Sequence, residues 1–387
     1  MLWHCQREAV SYSFCLFADY LLSLPFIKML NYTLKRLLYG LLVILGVVTL
    51  VFFLFNILPG DPARMMLGQR ADAESIEIIN RDLGRDKPLG TQFAAYLNDL
   101  SPLSLHNGVD ADSYFYLDPD KYAPYARIAT IGTTTLVAKA PYLRRSYQTK
   151  RKVREVIATA FPQTALLAIV AMTFALVVGV LLGVLSAVYK DTWIDRLAIF
   201  LSTLGMSLPS FFAAILIAWL FAYVLADWTH LSMFGNLYSI DDYGEGQYVN
   251  LRNLILPALT LGIRPLATLT QLTKNSMLDA LSQDYVRTAR AKGMSRMRVL
   301  FRHALRNAMN PIITSATGWL AGLLAGAVFV EYVFDWKGMG VVVVDALDKY
   351  DFPVVMGVIL FICILLVLIN IITDILYGVL DPRVRVR

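Results

Sequence analysis

The sequence has few charged residues, few cysteines and few histidines. Asp, Glu, Lys and Arg make up 17% of its 387 residues, whereas a soluble globular domain contains about a quarter. The three cysteines, Cys5, Cys15 and Cys363, show no spacing typical of a metal site or a disulfide framework, and the four histidines are scattered. No glycine-rich turn is followed by Lys-Ser or Lys-Thr, so we do not expect the chain to hydrolyse ATP.

Apolar residues are abundant instead: 57% of the chain is hydrophobic and the mean hydropathy is +0.57. A bilayer-spanning helix needs about 20 consecutive apolar residues. We expect Pro162 in the first turn of the second span and a kink at Pro209 in the third, while Arg264 interrupts the fourth. The sequence therefore predicts an all-α integral membrane protein with six transmembrane helices, at about 37–58, 161–188, 197–225, 254–273, 312–331 and 353–378.

Lys and Arg in short loops orient these spans, since such loops are enriched on the cytoplasmic side. We predict that both termini are cytoplasmic. The stretch 139–154 conflicts with this rule, because it is strongly basic and falls on the outer side; long loops, however, cross largely regardless of charge. The basic segments on the predicted inner side are Lys28 with Lys35 and Arg36, Lys190 with Arg196, the loop 276–311, and Arg383 with Arg385 and Arg387.

The spans divide the chain into four regions: an N-terminal extension at 1–28, a first transmembrane helix at 29–58, an extracytoplasmic loop at 59–160, and a core of five transmembrane helices at 161–387. For 1–28 we consider an upstream start codon and an amphipathic lead-in helix. The density of Tyr and Pro in 101–141 favours a small ordered subdomain, and a solvated irregular loop is the alternative.

The stretch 284–311, DYVRTARAKGMSRMRVLFRHALRNAMNP, carries seven Lys or Arg and one Asp. It predicts two helices, at about 285–292 and 296–309. Asp284 and Ser295 are candidate N-caps, and Gly293 suits the left-handed residue between the helices. Asn310-Pro311 is expected to stop the second helix.

The second helix is amphipathic, because apolar residues recur every three or four positions. Arg298, Arg302 and Arg306 line another face. Such a helix fits a partner's groove, lies on an anionic membrane surface, or merely sets topology. DNA binding is disfavoured because Pro311 joins the helix directly to a span. The predicted apolar face consists of Met297, Leu300, Phe301, Ala304, Leu305 and Ala308.

This stretch closely resembles the cytoplasmic loop of ABC-importer permeases of the dipeptide/oligopeptide class, which shows DYxRTARAKG followed by HALRNAxxP. The family's other motifs resemble LPGDP at 58–62, LGRDKP at 83–88, FPQTALL at 161–167, ILPALTLG at 255–262 and LINIITDILYGVLDPRVR at 368–385. Lys152 and Lys337 depart from it, since the class often has proline there. The insert at about 104–141 has no counterpart that we recognise, and 1–28 falls outside the match.

The resemblance implies a type I ABC importer permease fold in the bacterial inner membrane, with a large extracytoplasmic loop. It implies a second homologous permease, two ATPase subunits that use ATP and Mg²⁺, and a solute-binding protein as partners, with no cofactor or nucleic acid bound by this chain. The resemblance places the ATPase-coupling site at Asp284, Tyr285, Arg287, Thr288, Ala289, Arg290, Ala291, Lys292, Gly293, Arg298, Arg302, His303 and Arg306.

Polar residues inside spans are costly unless they face protein or water. Candidates for the translocation path are therefore Asn56, Arg264, Gln271 and Asn370. Helix packing is the alternative for Asn370 with Asp374, and pairing with an acidic neighbour is the alternative for Arg264. The small residues Gly318, Gly322, Ala325 and Gly326 are expected to allow close helix contact, with a sliding gate as a further possibility.

A peptide importer is the leading function. Import of nickel chelates, sugars or another solute by the same fold is an alternative. A stand-alone secondary transporter or channel would be expected to show internal repeats and charged relays, and the sequence shows no convincing repeat and few charges within spans.

Overall fold

The computed structural model describes residues 25–57, 76–77, 80, 85–110, 113–240, 246–325 and 327–380. Helices dominate this part of the chain. The predicted extension 1–28 lies almost wholly outside the described residues, as does the LPGDP motif. The helices are α1 (Pro25–Ile57), α2 (Leu89–Leu100), α3 (Pro119–Tyr122), α4 (Val153–Val188), α5 (Trp193–Ser207), α6 (Ser210–Trp219), α7 (Ala226–Thr229), α8 (Ile255–Ser282), α9 (Asp284–Ala291), α10 (Arg296–Arg298), α11 (Arg306–Leu324), α12 (Val328–Val333), α13 (Met339–Asp348) and α14 (Phe352–Leu380).

Two small sheets lie between the helices. Strands β1 (Leu103–Asn107), β2 (Tyr125–Ile131) and β3 (Thr134–Lys139) form an antiparallel sheet in the order β1-β3-β2. Its inner face buries Val137, which packs with Leu117 and Tyr122. Strands β4 (Tyr238–Ile240) and β5 (Gln247–Val249) form a separate antiparallel pair.

The helical class is confirmed, but length and apolar composition identify fewer spans than six. Four helices in the described ranges are long and apolar enough to cross a bilayer, and α5 with the segment Ser210–Val224 makes a fifth if the pair counts as one span. That pair bends by 113° after Ser207, far more than the kink expected at Pro209. The expected fifth span is helix α11, which begins with the polar run RNAMN and ends at Leu324 rather than at 331.

Helices α4 and α8 pack closely along their lengths, and glycine permits that approach. A Cβ on Gly262 would lie 2.9 Å from the carbonyl oxygen of Ala171, and one on Gly183 would lie 2.6 Å from that of Thr270. Gly318 and Gly322 have no neighbouring atom within 4 Å of such a Cβ. Close packing by small residues is therefore found between α4 and α8, and the expectation that placed it on α11 is wrong for Gly318 and Gly322 within this chain.

Within the described ranges, Pro162, Pro265 and Pro311 lie in helix interiors. Helix α4 begins at Val153, so Pro162 is not in its first turn as expected. Pro265 lies within α8 and Pro311 within α11. A proline inside a helix removes one hydrogen bond and crowds the preceding turn; in these long, packed helices tertiary contacts keep the path helical through each proline.

Helix α4 connects two ends of the molecule. Its 36 residues correspond to a length of about 54 Å at 1.5 Å per residue. Val153, at its beginning, packs in a cluster with Val358 of α14 and Phe52 of α1. Val184, near its end, packs against Met277 of α8 and against Leu300. The three-stranded sheet and the basic stretch 284–311 therefore lie near opposite ends of α4.

Candidate functional site

The stretch 284–311, which we call the coupling loop, is built from two helical pieces joined by a left-handed glycine; residues 276–282 of the predicted loop belong to α8. Gln283 is extended, with ψ 151°, and α9 therefore begins at Asp284. Gly293 has φ +72°, the conformation predicted for it. Ser295 is extended at the N-cap position of α10, although its side chain makes no capping hydrogen bond. The two-helix reading of this stretch is confirmed at these positions.

Asp284 is not the N-cap that the sequence predicted. The extended N-cap residue is Gln283, whose side chain makes no capping hydrogen bond, so Asp284 already belongs to the first turn of α9. One of its carboxylate oxygens lies 3.3 Å from the guanidinium of Arg287. A carboxylate in the first turn still interacts favourably with the helix dipole, and the site is largely exposed.

Asn310-Pro311 does not stop the second helix. A π-helix at Val299–Leu305 follows α10 and continues directly into α11, which passes through Pro311. The coupling loop is therefore joined to α11 without a break in helical backbone. The expectation failed because the preference of a residue before proline for extended backbone is a local tendency, and packing of Ala308 and Ile312 outweighs it here.

The π-helix also changes which apolar side chains are buried. Its hydrogen bonds run from residue i to i+5 rather than i+4, so each turn contains more residues. Leu300, Ala304 and Ala308 are buried as predicted. Met297 is 63% exposed and Phe301 45% exposed, contrary to the predicted apolar face. Two large apolar side chains thus remain on the open side of the coupling loop.

The buried side of the coupling loop rests on the ends of α4 and α8. Val286, Ala289 and Val299 form one buried cluster with Leu281 and Met294 at its edge. Leu300 and Ala304 join a second cluster that includes Val184 of α4 and Met277 of α8. Of the predicted site residues, Ala289 therefore belongs to this packed side, which holds the loop rigidly on two long helices.

The open side is basic. Its cationic side chains are exposed, Tyr285 is 40% exposed and His303 is half-buried. The Thr288 hydroxyl donates to the Asp284 carbonyl oxygen at 2.9 Å, so it is used within α9. Ala291 is exposed beside Gly293. The exposed cations are Arg287, Arg290, Lys292, Arg296, Arg298, Arg302 and Arg306.

A polar stripe runs along α8. Arg264, Thr268, Gln271 and Asn275 occur at steps of four, three and four residues, which place them on one face of the helix. Arg264 and Asn275 are exposed, and Thr268 and Gln271 are half-buried. The opposite face of α8, with Leu269 and Thr273, packs against α4. Arg264 and Gln271 were predicted from the sequence; Thr268 and Asn275 were not, although they follow the same helical periodicity.

The other two candidates for the path are separate from this stripe. Asn370 lies on α14 and is exposed. The side chains of Asn56 and Asp374 lie outside the described residues. The structure therefore brings together Arg264 and Gln271 and does not group Asn370 with them.

A buried ion pair next to the coupling loop was also missed. The ammonium of Lys274 lies 2.7 Å from Asp195, whose residue is 4% exposed. The same carboxylate accepts hydrogen bonds from the hydroxyl of Ser186 and from the backbone N–H of Asp191, the latter at 3.0 Å. The sequence feature that could have indicated this pair is Asp195 itself, an acidic residue in the first turn of an apolar helix.

The described residues contain no group of three or more His, Cys, Asp or Glu side chains placed to hold a metal ion. The candidate site consists of an exposed basic surface on the coupling loop and a polar face on α8. Its charged, amide and aromatic side chains can bind a partner or a solute.

Two family models match the sequence. The model for the binding-protein-dependent transport system inner membrane component matches residues 179–386, and the model for the N-terminal part of such membrane components matches residues 29–107. The glutathione transport system permease protein GsiC of Escherichia coli (strain K12) is 35% identical over 358 residues, which cover 92% of this chain and 99% of that protein. GsiC of Salmonella typhimurium (strain LT2) is 34% identical over 357 residues, with the same coverage. A solved structure of the MetNI methionine ABC transporter, inward facing, aligns at a TM-score of 0.47 and 16% identity over 59% of this chain and 97% of that one.

Proposed function

This chain belongs to the family of binding-protein-dependent transport system inner membrane components, and from that membership we propose that it carries short peptides inward as one of two paired permeases. Membership shows that the chain is a permease subunit of an ABC importer in the inner membrane, and the permease subunits of this family are non-catalytic. It also implies ATPase subunits and a solute-binding protein as partners.

The two-sided coupling loop carries the proposal. One side is buried against α4 and α8, and the other presents seven Lys or Arg together with Met297 and Phe301. An apolar centre with a charged rim is the usual composition of a protein docking surface. We propose that an ATPase subunit binds this side. Because the helical backbone continues from the π-helix into α11, a displacement of the docked surface would be transmitted to α11 and, through the buried clusters, to α4 and α8.

The polar stripe on α8 supports a path shared with a second permease. Arg264 and Asn275 are exposed although they belong to a helix long and apolar enough to span a membrane. Facing lipid would be costly for these groups. We propose that the stripe faces a water-filled path completed by the partner permease, with Arg264 attracting the carboxylate of a peptide and Gln271 offering amide hydrogen bonds.

A peptide is the favoured substrate for two reasons. Both relatives named above are glutathione transport system permeases, and glutathione is itself a tripeptide. The stripe combines one cation with neutral hydrogen-bonding groups, which suits a peptide's carboxylate and amides. Nickel chelates, sugars or another solute remain the alternatives within the same family.

Charge reversal on the coupling loop tests the docking step. Arg290→Glu combined with Arg302→Glu changes two exposed side chains, and Lys190→Glu is the matched control in the loop between α4 and α5. We expect the double variant to retain at least about tenfold less ATPase subunit on co-purification, because like charges across an interface are repulsive. If the parent, the double variant and the Lys190→Glu control all retain the same amount of ATPase subunit, docking at this surface is refuted.

Transport by the assembled complex tests the substrate separately. Proteoliposomes containing both permeases, the ATPases and the binding protein should accumulate a labelled dipeptide on addition of ATP. Accumulation of a sugar or a nickel chelate instead of the peptide would contradict the peptide assignment while leaving the docking surface intact.

A further inference from the structure

A cavity of about 270 Å³ lies beside the three-stranded sheet. It opens between α2, α3 and the segment 142–150, near the beginning of α4 and therefore far from the coupling loop. Most of its lining falls within residues 108–178, between the two regions that the family models match. Its size suits a small organic molecule.

The cavity is lined by cations and aromatic rings. Lys121, Arg144, Arg145 and Lys150 face one carboxylate, Asp99, which leaves an excess of three positive charges. The rings belong to Tyr114, Phe115, Tyr122, Tyr142 and Tyr147.

Asp99 does not neutralise this excess. Its carboxylate accepts a hydrogen bond from the Tyr122 hydroxyl at 2.6 Å and lies 3.5 Å from the ammonium of Lys121. The Asp99 carboxylate is therefore paired with two side chains of α3. Within the described ranges, neither Arg144 nor Lys150 lies within 4.0 Å of a carboxylate; the Arg144 guanidinium lies 5.3 Å from the Tyr96 ring centre instead. Two cations thus border the cavity without an anionic partner among these residues.

The backbone holds both cations in an uncommon conformation. Arg144 has φ +67° and Lys150 has φ +60°. For residues other than glycine, such angles cost free energy and concentrate at ligand-binding sites. The Val153 N–H donates to the Arg144 carbonyl oxygen at 3.1 Å, and the Lys150 N–H donates to that of Ser146, also at 3.1 Å. These bonds fix the two positions relative to α4.

The segment between the two cations is also anchored. The Asp351 carboxylate accepts hydrogen bonds from the Ser146 hydroxyl and from the Tyr147 N–H, the latter at 2.9 Å. Gln148 donates to the Lys349 carbonyl oxygen at 3.0 Å. Asp351 immediately precedes α14, so the wall of the cavity is held by a long apolar helix. A wall held in this way loses little conformational freedom when a ligand binds.

We propose that this cavity is a second binding site, for the carboxylate of a small organic acid that has an apolar or aromatic body. Arg144 and Lys150 bind the carboxylate, and Tyr114 and Tyr122 pack against the body. The site also gives the basic stretch 139–154 a role on the side of the membrane where the charge rule disfavours it. The proposal goes beyond transport, since it does not depend on which solute crosses the membrane.

The test compares a charged probe with its neutral counterpart on the full chain in lipid nanodiscs. Calorimetry should detect binding of 3-phenylpropionate, while 3-phenylpropanamide, which has the same body without the charge, should bind at least about tenfold more weakly. Equal affinity for the two probes would overturn the assignment to carboxylates. So would displacement of 3-phenylpropionate by inorganic phosphate at a similar concentration.

Variants then locate the binding. Lys150→Gln changes an exposed side chain and is expected to weaken 3-phenylpropionate binding by about threefold to tenfold. Adding Arg144→Gln should weaken it further. Arg151→Gln is the matched control, because this basic neighbour in the same segment does not line the cavity. Unchanged affinity in Lys150→Gln, in a protein that unfolds at the same temperature as the parent, would show that the probe binds elsewhere and would overturn the proposal.

Discussion

Lys274 places its ammonium 2.7 Å from the carboxylate of Asp195, and both side chains are largely buried. The pair connects α8 to the first turn of α5, immediately after the loop that follows α4. The hydroxyl of Ser186 on α4 donates to the same carboxylate. Helices α4, α5 and α8 are thereby tied at one point, and two of them, α4 and α8, support the coupling loop.

Asp195→Asn is expected to destabilise the protein by about 3–5 kcal/mol, because it leaves the Lys274 ammonium buried without its counter-charge. Thermal unfolding in detergent measures the effect. Asp195→Leu together with Lys274→Met should recover much of the loss, since a buried ion pair is often replaceable by apolar side chains. The control is Asp284→Asn, which breaks an exposed pair and should change little. Similar losses in Asp195→Asn and Asp284→Asn would contradict the importance of burial.

Gly338 is expected to tolerate no larger residue. A Cβ there would fall on the Glu331 carboxylate, which accepts hydrogen bonds from the Thr164 hydroxyl at 2.7 Å and the Gly340 N–H at 2.6 Å. Gly338→Ala should therefore destabilise the protein by about 1–3 kcal/mol, since overpacking displaces these partners. The unfolding temperature measures it.

Gly318→Ala provides the matched control for that change. Gly318 lies inside α11 with open space around its Cβ position. The same substitution should stabilise the helix there by about 0.5–1 kcal/mol. An unfolding temperature that moves in the same direction for both variants would contradict the packing found at Gly338.

The stability of the three-stranded sheet should depend on alkaline pH through Lys139. Burial lowers the pKa of the Lys139 ammonium from its ordinary value of 10.5 to about 8, although the nearby Asp99 charge opposes this shift. Between these two values the unfolded chain holds a proton that the folded chain has released, so stability rises with pH. The rise should amount to about 2 kcal/mol between pH 8 and 10.

Tyr122 reverses this trend at higher pH. Burial, followed by the neighbouring Asp99 charge, raises the pKa of Tyr122 well above its ordinary value. Above about pH 10, the unfolded chain loses a tyrosine proton that the folded chain keeps, so stability falls. Hydrogen exchange of the β3 amides, corrected for the intrinsic rate, should show a maximum near pH 10. Lys139→Met should remove most of the rise in stability between pH 8 and 10. The remaining part is due to Lys121, because burial also lowers the pKa of its ammonium. A monotonic fall from pH 8 in the parent protein would refute the assignment.

Apolar runs and Gly293 were informative in the sequence because each is governed by local chemistry. A long apolar run favours a helix in lipid, and a glycine between two helical patterns favours a left-handed residue. The predicted end at Asn310-Pro311 was wrong because neighbouring packing decided it. The exposed Phe301 lies in a π-helix, which a period of 3.6 residues does not anticipate.

Contacts between distant segments could not be predicted from the sequence. Asp195 and Lys274 are 79 positions apart, and Ser146 and Asp351 are 205 apart. Neither pair has a local pattern that names its partner. The cavity beside the sheet depends on such pairings, since its walls come from three separated segments.

Gly293 provides the sharpest test of whether the coupling loop transmits movement from the ATPase to the membrane helices. Its φ is +72° and a Cβ would meet no atom within 4 Å, so the cost of a substitution there comes from the backbone alone. Valine strongly disfavours this conformation, whereas asparagine adopts it most readily among the other residues.

We therefore expect Gly293→Val to disturb the turn between α9 and α10 by about 1–2 kcal/mol or more, and Gly293→Asn to disturb it less. In the assembled importer, Gly293→Val should reduce transport per ATP hydrolysed while membrane insertion is retained, and Gly293→Asn should stay near the parent. Solute uptake and phosphate release, measured in the same proteoliposomes, give that ratio. Both side chains project into open space within this chain. An equal loss of transport in the two variants would therefore mean that side-chain bulk, and not backbone conformation, matters at this position. The turn would then act as a contact surface for a partner.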